Sequence, residues 1–169
     1  MKKNQKQKGF SLIELLIVVA IILIIAAIAI PNLLRSRMAA NEASAVGSIR
    51  TMNTAAITYN STYGNGFPPS LAAVGTTGTG AVSCTNAQLI DSVLTAGSKS
   101  GYNFAATPST GAGSPVPNQF YTTGTPLSAQ TGTKAFCAFD DGVVRTQAAG
   151  VITLVASYAA CQALLPMAN

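Results

Sequence analysis

The stretch Gly9-Phe10-Ser11-Leu12-Ile13-Glu14-Leu15-Leu16 opens an apolar run that continues to Ile30 and ends at Pro31. Glu14 is the one charged residue within this run. A carboxylate in a segment of bilayer length costs roughly 2.5–3.5 kcal/mol on insertion scales, so it usually has a partner and a function. The stretch therefore predicts a long apolar helix with one functional charge near its start.

The composition is typical of a chain that buries much of its surface in a membrane, against other subunits, or both. Of its 169 residues, 49% are hydrophobic and only 9% are charged, against about a quarter charged in a typical domain. Four of the ten basic residues lie within residues 1–9, and the rest of the chain has six basic and five acidic residues. This near balance leaves no general nucleic-acid surface, and no specific nucleic-acid contact is predicted.

The N-terminal segment has three possible interpretations. A secretory signal peptide has an apolar core of about 7–15 residues with small residues after it, but the run from Leu12 to Ile30 is longer and Gly9 precedes it. A plain signal anchor needs about 20 apolar residues but leaves Glu14 unexplained. The third is a membrane-stored subunit that is trimmed and polymerised. The lysine excess before the run, compared with Arg35 and Arg37 after it, predicts a cytoplasmic N-terminus.

The stretch Lys8-Gly9-Phe10-Ser11-Leu12-Ile13-Glu14-Leu15 resembles the class III leader junction of type IV pilins and their relatives. Pro31 lies where that family has its helix proline, and the similarity is looser up to about Gly64. The resemblance implies that a membrane peptidase cleaves between Gly9 and Phe10 on the cytoplasmic face and methylates the new Phe10 amine. The nine-residue leader and the phenylalanine are similar to those of the type IVa subclass.

Glu14 has a physical role beside that resemblance. After cleavage, Phe10 carries a positive amine four residues from Glu14. In a bundle of such helices Glu14 can pair with the amine of its own or a neighbouring chain, and a buried charge that loses its partner is heavily destabilising. Both residues are therefore candidate assembly residues. The alternative is a carboxylate that reaches the headgroups at the cytoplasmic end of the segment.

Beyond Pro31 the helix is expected to continue, because a proline inside a helix bends it more often than it ends it. The resemblance implies that the backbone near Pro31 melts locally in a filament; the alternative is a simple curve. Apolar residues recur three and four apart and predict one buried face: Ala45, Ile49, Met52, Ala56, Tyr59 and Tyr63. Four charged residues are expected to be solvated or paired in an assembly: Arg35, Arg37, Glu42 and Arg50.

The remaining residues predict a small head. Residues 64–83 are expected to form a loop, since tandem prolines disfavour helix. A short helix capped by Thr85 and Gln88 should end at Gly97. Strand candidates follow, with Asp140-Asp141-Gly142 as a hairpin turn between the third and fourth: Gly101–Phe104, Gln119–Thr125, Ala135–Phe139, Val143–Arg145 and Val151–Val155.

The predicted fold class is α+β, with a long N-terminal helix packed on a small antiparallel sheet. The expected divisions are a cleaved leader at 1–9, a helix at 10–63 and a head at 64–169. Within the helix, 10–30 is the transmembrane and assembly segment and 31–63 is the amphipathic half.

Three cysteines are present, Cys84, Cys137 and Cys161. Pilins often have one disulfide that fixes the C-terminal region, so the resemblance implies a bond between Cys137 and Cys161, or alternatively between Cys84 and Cys161. Either pairing leaves one cysteine over. No Cys-x-x-Cys spacing and no histidine occur in the sequence, so no zinc site is predicted.

No catalytic residue and no cofactor is predicted. Asp140 and Asp141 lie in a predicted turn, where aspartate is favoured for backbone reasons, and the many serines and threonines lack a base. The resemblance implies a pilus subunit that forms a homo-oligomeric helical filament for adhesion, twitching motility or DNA uptake. Its implied partners are the prepilin peptidase, the assembly platform and motor, and inner-membrane lipids before assembly. A minor pilin or type II secretion pseudopilin is one alternative, and an unprocessed single-span envelope protein with a ligand-binding head is another.

Overall fold

A computed structural model describes residues 9–76, 80–111 and 113–167. Its contacts divide the chain into two compact units, Met1–Ser36 and Arg37–Asn169. A long helix, α1 (Leu12–Tyr63), and a five-stranded antiparallel sheet dominate the regular structure, so the predicted α+β class is confirmed. Residues 1–8, which form most of the predicted leader, lie outside the described residues.

The first half of α1 has no core of its own. Its leucine, isoleucine and valine side chains from Leu12 to Leu34 are all exposed, and its most apolar window has no buried residue. Within the described residues, α1 is the one helix long and apolar enough to cross a membrane. Because apolar surface gains roughly 25 cal/mol per Å² on leaving water, this segment requires hydrocarbon or other helices around it.

The second half of α1 supplies one side of the core of the second unit. Five of the six positions in the predicted apolar face are buried: Ala45, Ile49, Met52, Ala56 and Tyr59. Tyr63, the sixth, is half-buried, with its ring centroid 4.8 Å from that of Tyr59. The three-and-four spacing therefore identified the face correctly, since side chains at those intervals share one side of a helix.

The sheet follows chain order and every neighbouring pair of strands is antiparallel. Its strands are β1 (Ser98–Lys99), β2 (Tyr102–Ser109), β3 (Gln119–Pro126), β4 (Phe136–Phe139) and β5 (Arg145–Thr146). Gly124 in β3 lies under α1, where an added Cβ would be 3.1 Å from both Ile49 Cδ1 and Phe104 Cε1. Glycine at this position lets the helix approach the sheet closely.

Three short helices complete the second unit: α2 (Leu71–Val74), α3 (Ser92–Thr95) and α4 (Tyr158–Gln162). The prediction of a loop throughout 64–83 was wrong at α2. Helix begins directly after Pro69, because Ser70 is an N-cap whose side chain accepts a hydrogen bond from the Ala73 N–H. A proline disfavours helical conformation in the residue before it, but it does not prevent a capped helical turn just after it.

The predicted start of the next helix was also wrong. Helix α3 begins at Ser92 and not near Thr85, because Asp91 is its N-cap and accepts a 2.7 Å hydrogen bond from the Leu94 N–H. Gln88, the other expected cap, has a left-handed φ of 53°. The backbone before α3 runs beside α2, because the Ala87 and Leu89 N–H groups donate to the carbonyls of Ala73 and Val74.

Two strand predictions require correction near the C-terminus. β5 is Arg145–Thr146, so Val143 and Val144 precede it, and 151–155 is irregular instead of forming a strand. The edge of β5 is covered by 165–167, where the Met167 N–H donates to the Val144 carbonyl at 2.9 Å. Sequence pattern could not show this pairing, because it joins segments about twenty residues apart through their backbones.

Asn53 is a buried polar residue that joins α1 to the sheet. Its Nδ2 donates to the Phe139 carbonyl at 2.9 Å, and its Oδ1 accepts a hydrogen bond from Thr122 Oγ1 at 3.3 Å. We expect Asn53→Ala to lower the free energy of unfolding by about 2 kcal/mol, because it leaves buried groups without partners. Chemical unfolding of the detergent-solubilised chain measures this loss. Thr54→Ala, at an exposed neighbouring position, is the control and should change stability little.

Asp91 gives the second unit an acid-sensitive contact. The Leu94 N–H bond, with help from Lys99, lowers the pKa of Asp91 below its ordinary value of 3.8. A carboxyl with a lowered folded pKa stabilises the fold above its unfolded pKa and loses that contribution as pH falls through the folded value. Asp91→Asn retains a capping side chain but removes the charge. We expect the unaltered chain to be more stable than this variant at neutral pH, and the difference to shrink below a pH of roughly 4. Thermal unfolding of both proteins between neutral pH and pH 3 measures the difference; a constant gap would contradict it.

Candidate functional site

Glu14 lies in the first turn of α1, at the third helical position. Its Oε2 accepts a 2.9 Å hydrogen bond from the backbone N–H of Ser11, the residue before the helix. This is the glutamate half of a capping box, in which a side chain satisfies a donor at the helix start. Sequence reasoning assigned Glu14 a charge partner and missed this second role, although the Ser11-x-x-Glu14 spacing was visible.

Gly9 and Phe10 precede α1, which begins at Leu12 and not at Phe10. The Phe10 side chain is 86% exposed, and a Cβ added to Gly9 would contact nothing within 4 Å. The Gly9–Phe10 peptide bond is therefore outside regular structure and open to another protein. The carboxylate of Glu14 is four residues further along, where it holds the Ser11 backbone.

Pro31 lies inside α1 and does not end it. Proline has no N–H, so the helix has one hydrogen bond fewer here than elsewhere. The predicted local melting in a filament stays a prediction. Taken together, the described start of the helix presents an apolar surface, one carboxylate and one weakened turn.

In the second unit, Glu42 has a role that differs from the predicted one. Its Oε1 accepts hydrogen bonds from the Thr133 N–H and hydroxyl at 2.7 and 2.8 Å. Asn41 beside it donates to the Thr131 carbonyl at 3.0 Å. The side chain is half-buried and contacts the loop before β4, which the expectation of a solvated glutamate did not include, while pairing in an assembly stays a prediction.

Cys137 and Cys161 form a disulfide, with 6.0 Å between their Cα atoms. This is the first of the two pairings that the resemblance implied; the alternative with Cys84 is not formed. Cys84 is exposed and has a free thiol. Both bonded cysteines are fully buried, so the bond fastens α4 to β4 inside the core.

The turn between β4 and β5 carries the two adjacent aspartates. Asp141 makes a bidentate ion pair with Arg145, at 2.7 and 3.1 Å, and the Arg145 guanidinium lies 4.1 Å from the Phe139 ring centroid. Asp140 accepts a 2.7 Å hydrogen bond from the Tyr158 hydroxyl. Burial, followed by this bond and the nearby carboxylates, raises the pKa of Tyr158 to about 12. Among the residues described, no group of three His, Cys, Asp or Glu side chains is placed to hold a metal ion.

A known protein family matches the segment of the chain in which α1 begins. The family described as the prokaryotic N-terminal methylation motif matches residues 4–30. The type IV wide pilus major component PilA4 of Thermus thermophilus is 69% identical over 35 residues, which are 21% of this chain and 27% of that protein. The type IV major pilin protein PilA of Myxococcus xanthus is 46% identical over 52 residues, 31% of this chain and 24% of that protein.

A third relative comes from a secretion system. The type II secretion system core protein G of Vibrio cholerae is 41% identical over 66 residues, 37% of this chain and 45% of that protein. The chain thus spans about a quarter of the two pilins and less than half of the secretion protein. No solved structure matches the chain. The methylation motif in the N-terminal segment and the similarity to two pilins support the resemblance of the chain to the type IV pilin family.

Proposed function

We propose that the chain is the subunit of a type IV pilus, held in the inner membrane by α1 until it is polymerised. The observation that carries the proposal is the exposed apolar surface from Leu12 to Leu34, with Glu14 as its one charge; the part of this surface up to Ile30 lies within the methylation motif. Apolar side chains that no other described residue covers must pack in lipid or against other chains.

Processing prepares this helix for assembly. In the proposed sequence of events, the prepilin peptidase removes residues 1–9 on the cytoplasmic face and methylates the Phe10 amine. The new amine and the Glu14 carboxylate are opposite charges in a medium of low dielectric, where their attraction is strong. Pairing between neighbouring chains draws an incoming subunit to one axial position. Segment 10–30 then forms the filament core, 31–63 connects it to the head, and 64–169 forms the outer surface.

The proposed role is structural and not enzymatic. The assembly platform and motor extract the subunit from the membrane, whose lipids surround α1 beforehand. The finished homo-oligomeric filament supports adhesion, twitching motility or DNA uptake. The N-terminus faces the cytoplasm before assembly, as the four lysines among the first nine residues favour.

A second candidate is a short fibre of a type II secretion system, or a minor pilin. The similarity to the secretion core protein favours it, since that match covers 66 residues, against 35 and 52 residues for the matches to the pilins. Electron microscopy of cells that express only this subunit separates the candidates. Long surface filaments support the pilus, and their absence together with a processed N-terminus supports the secretion fibre.

Processing itself gives the decisive test against an unprocessed envelope protein. We expect mass spectrometry of the chain from native membranes to find an N-terminal peptide that starts at methylated Phe10. Gly9→Val should accumulate with residues 1–9 attached, because the added side chain meets nothing in the fold and acts only on peptidase recognition. An unaltered chain that retains Met1 in assembled or membrane-held protein would contradict the proposal.

A further inference from the structure

A groove of about 400 Å³ lies between the second half of α1 and the start of β4. Val46, Phe136 and Met167 give it an apolar lining, and Arg50 and Lys134 add two positive charges. Glu42 also lines the groove, but its Oε1 is taken by the Thr133 N–H and hydroxyl. The groove is therefore apolar with a net positive charge.

The two cations have no counter-ion of their own. In the described part of the chain, the side chains of Arg50 and Lys134 form no ion pair, whereas Lys99 pairs with Asp91 and Arg145 with Asp141. Arg50 is exposed and Lys134 is half-buried. Such a groove is complementary to a segment that combines negative charge with a small apolar side chain.

The chain itself contains a segment of that kind. The β4–β5 turn presents Asp140 and Asp141, and the next apolar residue, Val143, is 40% exposed. Even with Arg145 counted, this turn has a net negative charge. Its carboxylates can accept further hydrogen bonds, because an ionised carboxylate has about four acceptor positions.

The groove and the acidic turn lie beside different stretches of α1. Glu42 contacts Thr133 before β4, while Asn53 contacts Phe139 at the end of β4, so this stretch of chain runs alongside the helix in the same direction. The ten residue-to-residue steps from Ala43 to Asn53 correspond to a rise of roughly 15 Å. The turn therefore lies beyond the groove in the direction of the C-terminal end of α1.

We propose that the groove receives the acidic β4–β5 turn of a second copy of this chain. This inference rests on the filament proposed above and names one contact between its heads. Because the two surfaces differ and are offset along α1, the contact is heterologous. Repetition of a heterologous contact gives an open helical array instead of a closed dimer.

Charge reversal tests the contact in the full chain. We expect Lys134→Glu and Asp140→Lys each to reduce sheared filaments by ~10-fold or more relative to membrane-held subunit, since like charges then face each other. The combined variant should regain most of the loss. Lys99→Glu, which changes charge equally on β1, should assemble normally. No loss in either single variant, or no recovery in the combined one, would overturn the inference.

Cysteine crosslinking tests the same contact without any charge substitution, so its result does not depend on whether the charge variants fold. Ala43→Cys lies in the groove and Val143→Cys beside the turn, both exposed, in a Cys84→Ser background. We expect a bismaleimide to join them into dimers and higher ladders, while Ala43→Cys with Val93→Cys on α3 gives none.

The two proposals fail in different ways. Filaments without a ladder and without charge rescue would remove this contact but leave the filament intact. A chain that gives neither filaments nor ladders removes both. If the groove instead binds an anionic lipid, Lys134→Glu lowers assembly but Asp140→Lys does not, and that result also overturns the inference.

Discussion

Glu14→Gln is expected to leave the subunit inserted in the membrane and to abolish filaments. Glutamine removes the negative charge that the processed Phe10 amine would meet, so an assembled subunit would hold an unpaired cation in an apolar bundle. Breaking a buried pair on one side typically costs about 3–5 kcal/mol. Over the many subunits of a filament, that cost prevents growth.

Glutamine is chosen because Glu14 has two roles that alanine would remove together. The carboxylate also accepts the Ser11 N–H at the start of α1, and glutamine can make the same capping bond. Glu14→Ala loses both the cap and the charge. Normal filaments from Glu14→Gln with loss in Glu14→Ala would assign the residue to capping and contradict the charge mechanism.

The measurement compares two fractions of the same cells. Membrane-held subunit is quantified by immunoblot, and filaments are quantified after shearing and by electron microscopy. Ser36→Ala is a matched control on the same helix, because its exposed hydroxyl donates to the Asn32 carbonyl one turn earlier in that helix. It should insert and assemble like the unaltered chain.

Periodic features of the fold could be predicted from sequence, and contacts between distant segments could not. Ile49, Met52 and Tyr59 repeat at helical spacing, so their buried face was visible in the sequence. The start of α3 was not, because Asp91 caps it and the backbone before it pairs with α2. The strand expected at 151–155 failed for a similar reason: 165–167 occupies the edge of β5.

The candidate site likewise has features that the sequence predicts and contacts that it does not. The charge of Glu14 is conspicuous in an apolar run, so a functional role for it could be predicted from the cost of burying a charge. Its bond to Ser11 followed from a local spacing that was present but not used. The bond from Glu42 to Thr133 joins residues 91 positions apart, and no local pattern in the sequence indicates it.

Removal of the disulfide is expected to lower the stability of the head by roughly 3 kcal/mol. Cys137 and Cys161 are 24 residues apart, and the chain-entropy model assigns about that stabilisation to a closed loop of this length. The bond joins β4 to α4 within a small buried cluster that includes Tyr121, Phe139 and Val155. Without it, α4 still has the Ser157 cap, the Tyr158 hydroxyl bond to Asp140 and the packing of the Tyr158 ring on Phe139.

The double variant Cys137→Ala with Cys161→Ala tests this, since it leaves no unpaired thiol in the core. Chemical unfolding of the detergent-solubilised full chain, followed by near-ultraviolet circular dichroism, should show a lower midpoint, with a steeper denaturant slope because the unfolded chain without the bond exposes more surface. Cys84→Ser removes the exposed free thiol and should leave the midpoint unchanged. If the double variant unfolds at the same midpoint as Cys84→Ser, the packing of α4 on β4 holds the region without the bond. In that case the bond contributes little to stability.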